Sequence, residues 1–273
     1  MQDIYDILNG EDVDRSMDLV KRDKRRNKVN VKNVSIEPLF RVKDDYLTPP
    51  HPNLLPLPFS ILEFAVKGSG KTVLLMNLIN WYHKMFDNIF IFSPTVYLDV
   101  KWKLMIEKIN IPPQNIFTKY EEKNLVMLIN KIKMANKGKI NKEKIRCLMI
   151  FDDIVESLPK GKKVSALNKL AMNHRHLNIS HIIISQSFKK IDPVLRINTT
   201  GMILFNCDNS AERKKIIEEC CGNFTHKEFE KLYIEATNEK YNFMFLNYHN
   251  RKIYKNFDKE IGDLNRKPDQ LFK

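Results

Sequence analysis

The chain has 273 residues, of which 43% are hydrophobic and 29% charged, the balance of a folded globular protein large enough for one sizeable domain with appendages. Its longest unbroken apolar run, Cys147 to Phe151, has five residues against the roughly 20 of a membrane-spanning helix, so no transmembrane segment is expected. Lys and Arg outnumber Asp and Glu by 46 to 33, a formal net charge of +13, which suits a polyanionic partner, although a Lys-, Asn- and Ile-rich mixture also follows from an AT-rich genome.

The opening Met1-Gln2-Asp3-Ile4-Tyr5-Asp6 is acidic and has no apolar core, unlike a secretory leader. Residues 1–55 carry a basic run, Lys21-Arg22-Asp23-Lys24-Arg25-Arg26-Asn27-Lys28, and end in Thr48-Pro49-Pro50-His51-Pro52. This stretch reads as a basic arm with a Pro-rich linker, because proline cannot continue a helix. From residue 56 the pattern alternates between short β-branched runs and helix-like stretches. Strands are predicted at Ser60–Ala65, Asn88–Phe92, Arg146–Phe151, His181–Ser185 and Gly201–Phe205. Helices are predicted at Thr72–Phe86, Trp102–Ile109, Lys123–Met134, Ala166–His176, Ser210–Cys220 and Lys227–Ala236. Continuous apolar strands separated by helices imply an α/β fold with a mostly parallel central sheet covered on both faces. Asn242–Tyr248 and Lys252–Tyr254 read as a terminal hairpin, the core as 56–257, and 258–273 as a tail. Cys147, Cys207, Cys220 and Cys221 have no framework spacing, and two of them fall in predicted buried strands. A reducing, intracellular setting follows.

The strongest chemical signal is Ala65-Val66-Lys67-Gly68-Ser69-Gly70-Lys71-Thr72, placed between a predicted strand and a predicted helix, the context of a phosphate-binding P-loop. Gly68 and Gly70 let successive N–H groups turn toward an anion, and the following helix aims its positive end at it. Lys71 brings charge to the β/γ-phosphates and Thr72 a hydroxyl to Mg²⁺. Ala65 stands where the usual pattern has Gly.

Cys147-Leu148-Met149-Ile150-Phe151-Asp152-Asp153 is an apolar strand ending in two acids. With a P-loop present, Asp152 is expected to hold the metal and Asp153 to polarise an attacking water; two acids here could also simply cap the next helix. Ser185 and Gln186 end the next strand, where ligands of open parallel sheets bind, so Gln186 is placed near the γ-phosphate or the water. Arg175 and Arg196 are two candidates for a guanidinium reaching a neighbour's γ-phosphate, a contribution of about 10³ to 10⁵ in rate in other NTPases. Helix C-terminal placement explains Arg175 as well. The groups His174/His176/His181 and Cys220/Cys221/His226 do not match a four-ligand zinc spacing.

Together with Ala65–Thr72 and Leu148–Asp153, the stretch Arg175-His176-Leu177-Asn178-Ile179-Ser180-His181-Ile182-Ile183-Ile184-Ser185-Gln186-Ser187 resembles the poxvirus-type packaging ATPases of large DNA viruses and virophages, members of the FtsK/HerA superfamily. The segment Ile191-Asp192-Pro193 and Leu195-Arg196-Ile197-Asn198 is similar to that family too. The resemblance covers about residues 56–210. It implies a RecA-like P-loop core that assembles as a ring of roughly five or six copies and uses ATP and Mg²⁺ to pump double-stranded DNA into a capsid. By that resemblance residues 65–72 bind nucleotide, Thr72 and Asp152 the metal, Asp152 and Asp153 fill the Walker B roles, and Gln186 is a sensor. Arg175 or Arg196 is then the trans-acting finger. A capsid or vertex protein is an implied partner, and the host cytoplasm, in a virus factory, with the virion an implied location.

A P-loop kinase and a non-catalytic nucleotide-binding scaffold are the alternatives. Paired acids suit water activation better than phosphoryl transfer to a second substrate, and no Arg-rich lid follows the acidic strand.

Overall fold

The computed structural model describes residues 47–140, 143–154, 158 and 165–266. The expected basic arm through residue 46, including its 21–28 run, and residues 267–273 lie outside the described residues. Among the described residues the core begins earlier than the expected boundary at 56. Leu54 and Leu55 are buried, the Leu55 carbonyl accepts the Tyr82 hydroxyl at 2.7 Å, and Leu47 bridges Leu57. The end of the Pro-rich stretch is therefore packed against the core and not a linker.

Six parallel strands form the body of one sheet: β1 (Ser60–Phe64), β2 (Asn88–Phe92), β3 (Ile116–Phe117), β4 (Cys147–Asp152), β5 (Ile179–Ser185) and β6 (Gly201–Phe205). Three antiparallel strands extend it, β7 (Phe243–Asn247), β8 (Lys252–Lys255) and β9 (Lys259–Asp263), giving the order β3-β2-β4-β5-β1-β6-β7-β8-β9. The two-residue β3 has too little apolar sequence to predict, and β9 occupies what was expected to be a tail. It is a charged strand held by its pairing with β8, by the Lys252 ammonium donating to Glu260 and Asp263, and by Ile261 packed against the core.

The helices are α1 (Lys71–Tyr82), α2 (Val100–Ile109), α3 (Glu122–Asn136), α4 (Ala166–Leu177), α5 (Pro193–Ile197), α6 (Ser210–Cys220) and α7 (His226–Thr237). Most are started by a side chain that takes up an orphan N–H. Asp99 caps α2, Ser165 caps α4, Asn209 caps α6, and Thr225 with Glu228 forms a capping box on α7. The strand pleat sorts core residues onto two faces. Ile61, Leu148, Ile150 and Ile182 pack with Leu75 and Leu78 of α1 and Trp102 of α2. Leu62, Met149, Phe151 and Ile183 pack with Leu125 of α3, Leu167 of α4, Ile216 of α6 and Phe229 of α7. Both faces are covered by helices, which is why these strands are apolar throughout and carry no alternation.

Register sets the site. Phe64 lies level with Ser185 and Leu204, and Asp152 level with Ile184, so the chain leaves β1, β4, β5 and β6 at one common edge. β5 separates β4 from β1. The acids therefore reach the loop across an intervening strand.

Two buried charged groups stand out in this framework. Arg196 was expected as a possible outward-reaching finger, but its guanidinium is engaged within its own chain. Nε and Nη2 donate to Glu219 at 2.6 and 2.9 Å, and Nη1 donates to the carbonyls of Phe188 and Ile191. Its side chain is 7% exposed. It clamps α5 to α6 and is not placed to reach a neighbour. Glu63, in the middle of β1, is fully buried, and neither carboxylate oxygen has a hydrogen-bond partner. It shares the row Asp152–Ile184–Glu63–Ile203 across four strands. Burial first, then the Asp152 charge, pushes its carboxyl well above the usual carboxylate range, with Lys71 opposing.

Arg196→Ala is expected to destabilise the fold by about 1–3 kcal/mol, since it removes a charge-assisted fork and the donor to the Ile191 carbonyl; urea denaturation measures it, and an unchanged midpoint would contradict the clamp. Because the Glu63 carboxyl is pushed up in the native state, that state holds its proton to higher pH than the unfolded chain, which releases it above about pH 4.3. Raising the pH therefore favours the unfolded chain, by up to about 1.4 kcal/mol per pH unit, until the buried group ionises. Glu63→Gln is accordingly expected to gain thermal stability relative to wild type on going from about pH 5 to about pH 8, and a pH-independent difference in melting temperature would refute the protonated state.

Candidate active site

The loop between β1 and α1 carries the sequence signature and has the backbone it calls for. The Ala65 N–H donates to the Ser185 carbonyl at 3.0 Å, so the ladder extends past β1 before the chain turns. The Ser69 N–H and hydroxyl both donate to the Val66 carbonyl, at 3.2 and 2.8 Å. Gly68 (φ +82°) and Gly70 (φ +102°) adopt left-handed conformations that L side chains rarely reach. Gly70 is the N-cap of α1, and no side chain caps that helix, in contrast to α2, α4, α6 and α7. The first-turn N–H groups and the positive end of the helix dipole are thus left for an anion. Lys67, Gly68, Gly70, Lys71 and Thr72 line a cavity of about 1150 Å³, whose far wall includes Asp153 and Gln186.

Lys71 joins the two acids. Its Nζ donates to Asp153 Oδ2 at 2.7 Å and lies 4.0 Å from Asp152 Oδ1. Successive residues of a strand point to opposite faces, so two neighbouring carboxylates should not both reach one ammonium. Asp153 has φ +54°, a left-handed conformation that Asp tolerates. It breaks the alternation as β4 ends and turns the second acid back toward the P-loop. Gln186, one residue beyond β5, donates Nε2 to both Asp153 oxygens at 2.9 Å. The strand between β4 and β1 thus delivers the side chain that holds Asp153 in place.

Asp152 lies deeper. It is 5% exposed and accepts a hydrogen bond from the Ser93 hydroxyl at 3.1 Å. Burial raises its carboxyl above the ordinary range; the Lys71 charge lowers it, Asp153 raises it further, and the Ser93 hydroxyl and Trp102 indole lower it. Asp152 and Thr72 are hard oxygen donors, and Lys71 lies close to both acids. That donor set fits Mg²⁺, which takes one or two carboxylates and completes its shell with water and substrate phosphates. No group of three or more His, Cys, Asp or Glu poised for a metal occurs among the described residues.

The other predicted residues fall elsewhere. Arg175 is exposed in the last turn of α4, beside the start of β5, whereas Gln186 follows that strand's end. Seven residues of β5 put them roughly 20 Å apart at opposite edges of the sheet. Arg175 therefore cannot serve the P-loop of its own chain. His174 and His181 stack edge-on at 5.4 Å in the core, with burial pushing both imidazoles down. Ser93 was not foreseen as an Asp152 partner, because a serine ending an apolar strand carries no signature. Tyr241, which lines the same cavity and whose ring lies against Gly70, was missed as well. It comes from the loop between α7 and β7, far along the sequence from either motif.

Residues 51–221 match the family described as Poxvirus A32 protein. The DNA packaging protein OPG160 of Variola virus is 30% identical over 155 residues, covering 56% of this chain and 55% of that protein, and the Vaccinia virus (strain Copenhagen) protein of the same name matches over the same shares. An uncharacterized protein of Acanthamoeba polyphaga mimivirus is 26% identical over 185 residues, covering 65% of this chain and 63% of its own length. The match to the curated OPG160 proteins thus spans about half of their length. Among solved structures, the fold is similar to the genome packaging NTPase B204 from Sulfolobus turreted icosahedral virus 2 in complex with AMPPCP, with a TM-score of 0.52 at 15% identity over 72% of this chain and 95% of that one. The same NTPase in complex with ATP-gammaS gives 0.51. At such identity the likeness shows the fold: a mostly parallel P-loop NTPase sheet flanked by helices. Because the family match covers the P-loop, both acids, Gln186 and both arginines, the chain belongs to the Poxvirus A32 protein family.

Proposed function

We propose that the chain is an ATPase that drives double-stranded DNA into a viral capsid. The observation that carries this reading is the Lys71–Asp153–Gln186 cluster at the mouth of an uncapped helix. The relatives named for DNA packaging and the NTPase with nucleotide analogues bound support it. A triphosphate seated against the α1 N-terminus competes with Asp153 for Lys71. When it wins, Asp153 loses its ammonium partner and its carboxylate is free to accept a proton from water. Gln186 keeps that carboxylate oriented and lies where it can sense the γ-phosphate. Asp152 and Thr72 would hold Mg²⁺, which would supply positive charge to offset that of the phosphates.

In this reading the active unit is a ring of identical copies working in the host cytoplasm where virions assemble. Duplex DNA is gripped through phosphates by the lysine surplus, without base readout. Arg175, on the sheet edge remote from its own P-loop, is the residue that reaches a neighbour's γ-phosphate. Hydrolysis is then completed only when two copies are correctly seated, which converts chemistry into relative motion of subunits.

The test is ATP turnover by the full chain with and without duplex DNA. DNA is expected to accelerate turnover. Lys71→Ala is expected to abolish nucleotide binding and hydrolysis, and Asp153→Asn to retain binding while losing on the order of 10²-fold or more in rate. Unchanged turnover in Lys71→Ala would remove the P-loop from the mechanism, and transfer of labelled phosphate to an acceptor other than water would point to a kinase. Arg175→Ala is expected to bind ATP normally yet turn over about 10³-fold more slowly. Mixing it with Lys71→Ala is expected to restore part of the activity, because each mutant supplies what the other lacks. No recovery at any mixing ratio would count against a trans-acting Arg175.

A further inference from the structure

The cavity beside the P-loop is larger than phosphates and acids require, and its second half has a different chemistry. β1 has β5 and β4 on one side and β6 and β7 on the other. On the β4 side the wall is polar, with Asp153 and Gln186. On the β7 side it is built from Phe205, which ends β6, Phe243, which begins β7, and Tyr241, facing Leu74 and Asn77 of α1. A triphosphate whose terminal phosphate points at Asp153 must send its nucleoside the other way, into this aromatic half.

We propose that Tyr241 is the platform on which the nucleobase stacks, so that the aromatic half of the cavity is a nucleobase subsite. This inference rests on the P-loop reading above and adds the part of the nucleotide that the P-loop does not touch. Tyr241 is unusual in two ways. The residue is 57% exposed although it sits on a cavity wall. Its backbone is left-handed, with φ +72°. Among the described residues Asn110, Asp153, Asn178, Arg251 and Asn256 share that conformation; Asn and Asp tolerate it, but it is an outlier for a bulky aromatic. Such a residue persists only where the surroundings hold it, and such positions cluster at ligand sites. Here the surroundings are identifiable. The near edge of the ring lies against Gly70, where an added Cβ would come within 3.1 Å of Tyr241 Cδ1. The Lys240 ammonium lies 4.8 Å from the ring centroid. Gly70 thus has a second reason to be glycine: it admits the aromatic ring directly beside the helix N-terminus that receives phosphate. Stacking on one aromatic face is worth roughly tenfold in binding and depends little on which base is stacked.

The test compares ATP with inorganic tripolyphosphate, which has the charges and no base, by equilibrium titration of the full chain. Tyr241→Asn suits the left-handed backbone and removes the ring; Tyr241→Phe keeps it. Tyr241→Asn is expected to weaken ATP binding on the order of tenfold, to leave tripolyphosphate binding unchanged, and to be rescued by Tyr241→Phe. Equal losses for both ligands would make the ring a support for the loop and overturn the inference, as would no loss for ATP. As a second measurement, Tyr241→Trp is expected to add an emission that ATP quenches and tripolyphosphate does not; equal quenching by both also overturns it. Wild-type protein that binds neither ligand would defeat the P-loop reading itself and this inference with it. ATP binding that is lost in Lys71→Ala but intact in Tyr241→Asn defeats the nucleobase subsite alone.

Discussion

Three polar side chains can meet at one point only because three parallel strands stop in step. β4, β5 and β1 are paired so that Asp152 stands level with Ile184 and Phe64 with Ser185. A slip of one residue would turn every apolar side chain of a strand to the other face. Since both faces are sealed by helices, the apolar packing locks the register, and the register places Lys71, Asp153 and Gln186 within hydrogen-bonding distance. The chemistry at the edge is thus held by residues that take no part in it: Leu148, Ile150, Ile182 and Ile184 on one face, Met149, Phe151 and Ile183 on the other.

The site concentrates charge where burial disfavours it. Asp152 is almost completely covered, with Lys71, Ser93 and Trp102 easing the ionised form. Glu63, two strands away in the same row, has no hydrogen-bond donor and only the opposing Lys71 charge, so burial and Asp152 push its carboxyl well above the usual range. The contrast shows what the P-loop lysine does for the fold as well as for a ligand. Asp152 lies 4.0 Å from the ammonium and has hydrogen-bond donors, while Glu63 senses it only through the sheet.

Much of this arrangement is legible in the amino-acid order. The five principal parallel strands and all the longer helices follow from the apolar patterning, and the phosphate loop from its glycines and lysine; the short helix Pro193–Ile197 does not. The acids and Gln186 follow from their places at strand ends. What the order does not reveal is which strand neighbours which. Chain proximity says nothing about β5 lying between β4 and β1, and that is the fact that lets Gln186 orient Asp153. Nor is the left-handed turn at Asp153 visible in two adjacent letters. Arg196 illustrates the opposite failure. An arginine after a short apolar run looks available, and only the fold shows that Glu219 and two carbonyls surround it. Tyr241 and β9 escape for a third reason: Tyr241 is placed against Gly70, far away in sequence, and β9 by its pairing with β8, and neither carries a local apolar pattern.

The two borders of the sheet differ from its interior. At one, β3 offers only two residues; at the other, β9 opens with Lys259 and Glu260, both exposed. Short or charged borders discourage another chain from adding a strand. Among the described residues, the sheet thus offers another copy helix faces and loops rather than a bare backbone edge to zip onto. Contacts of that kind can loosen and re-form without unravelling either partner.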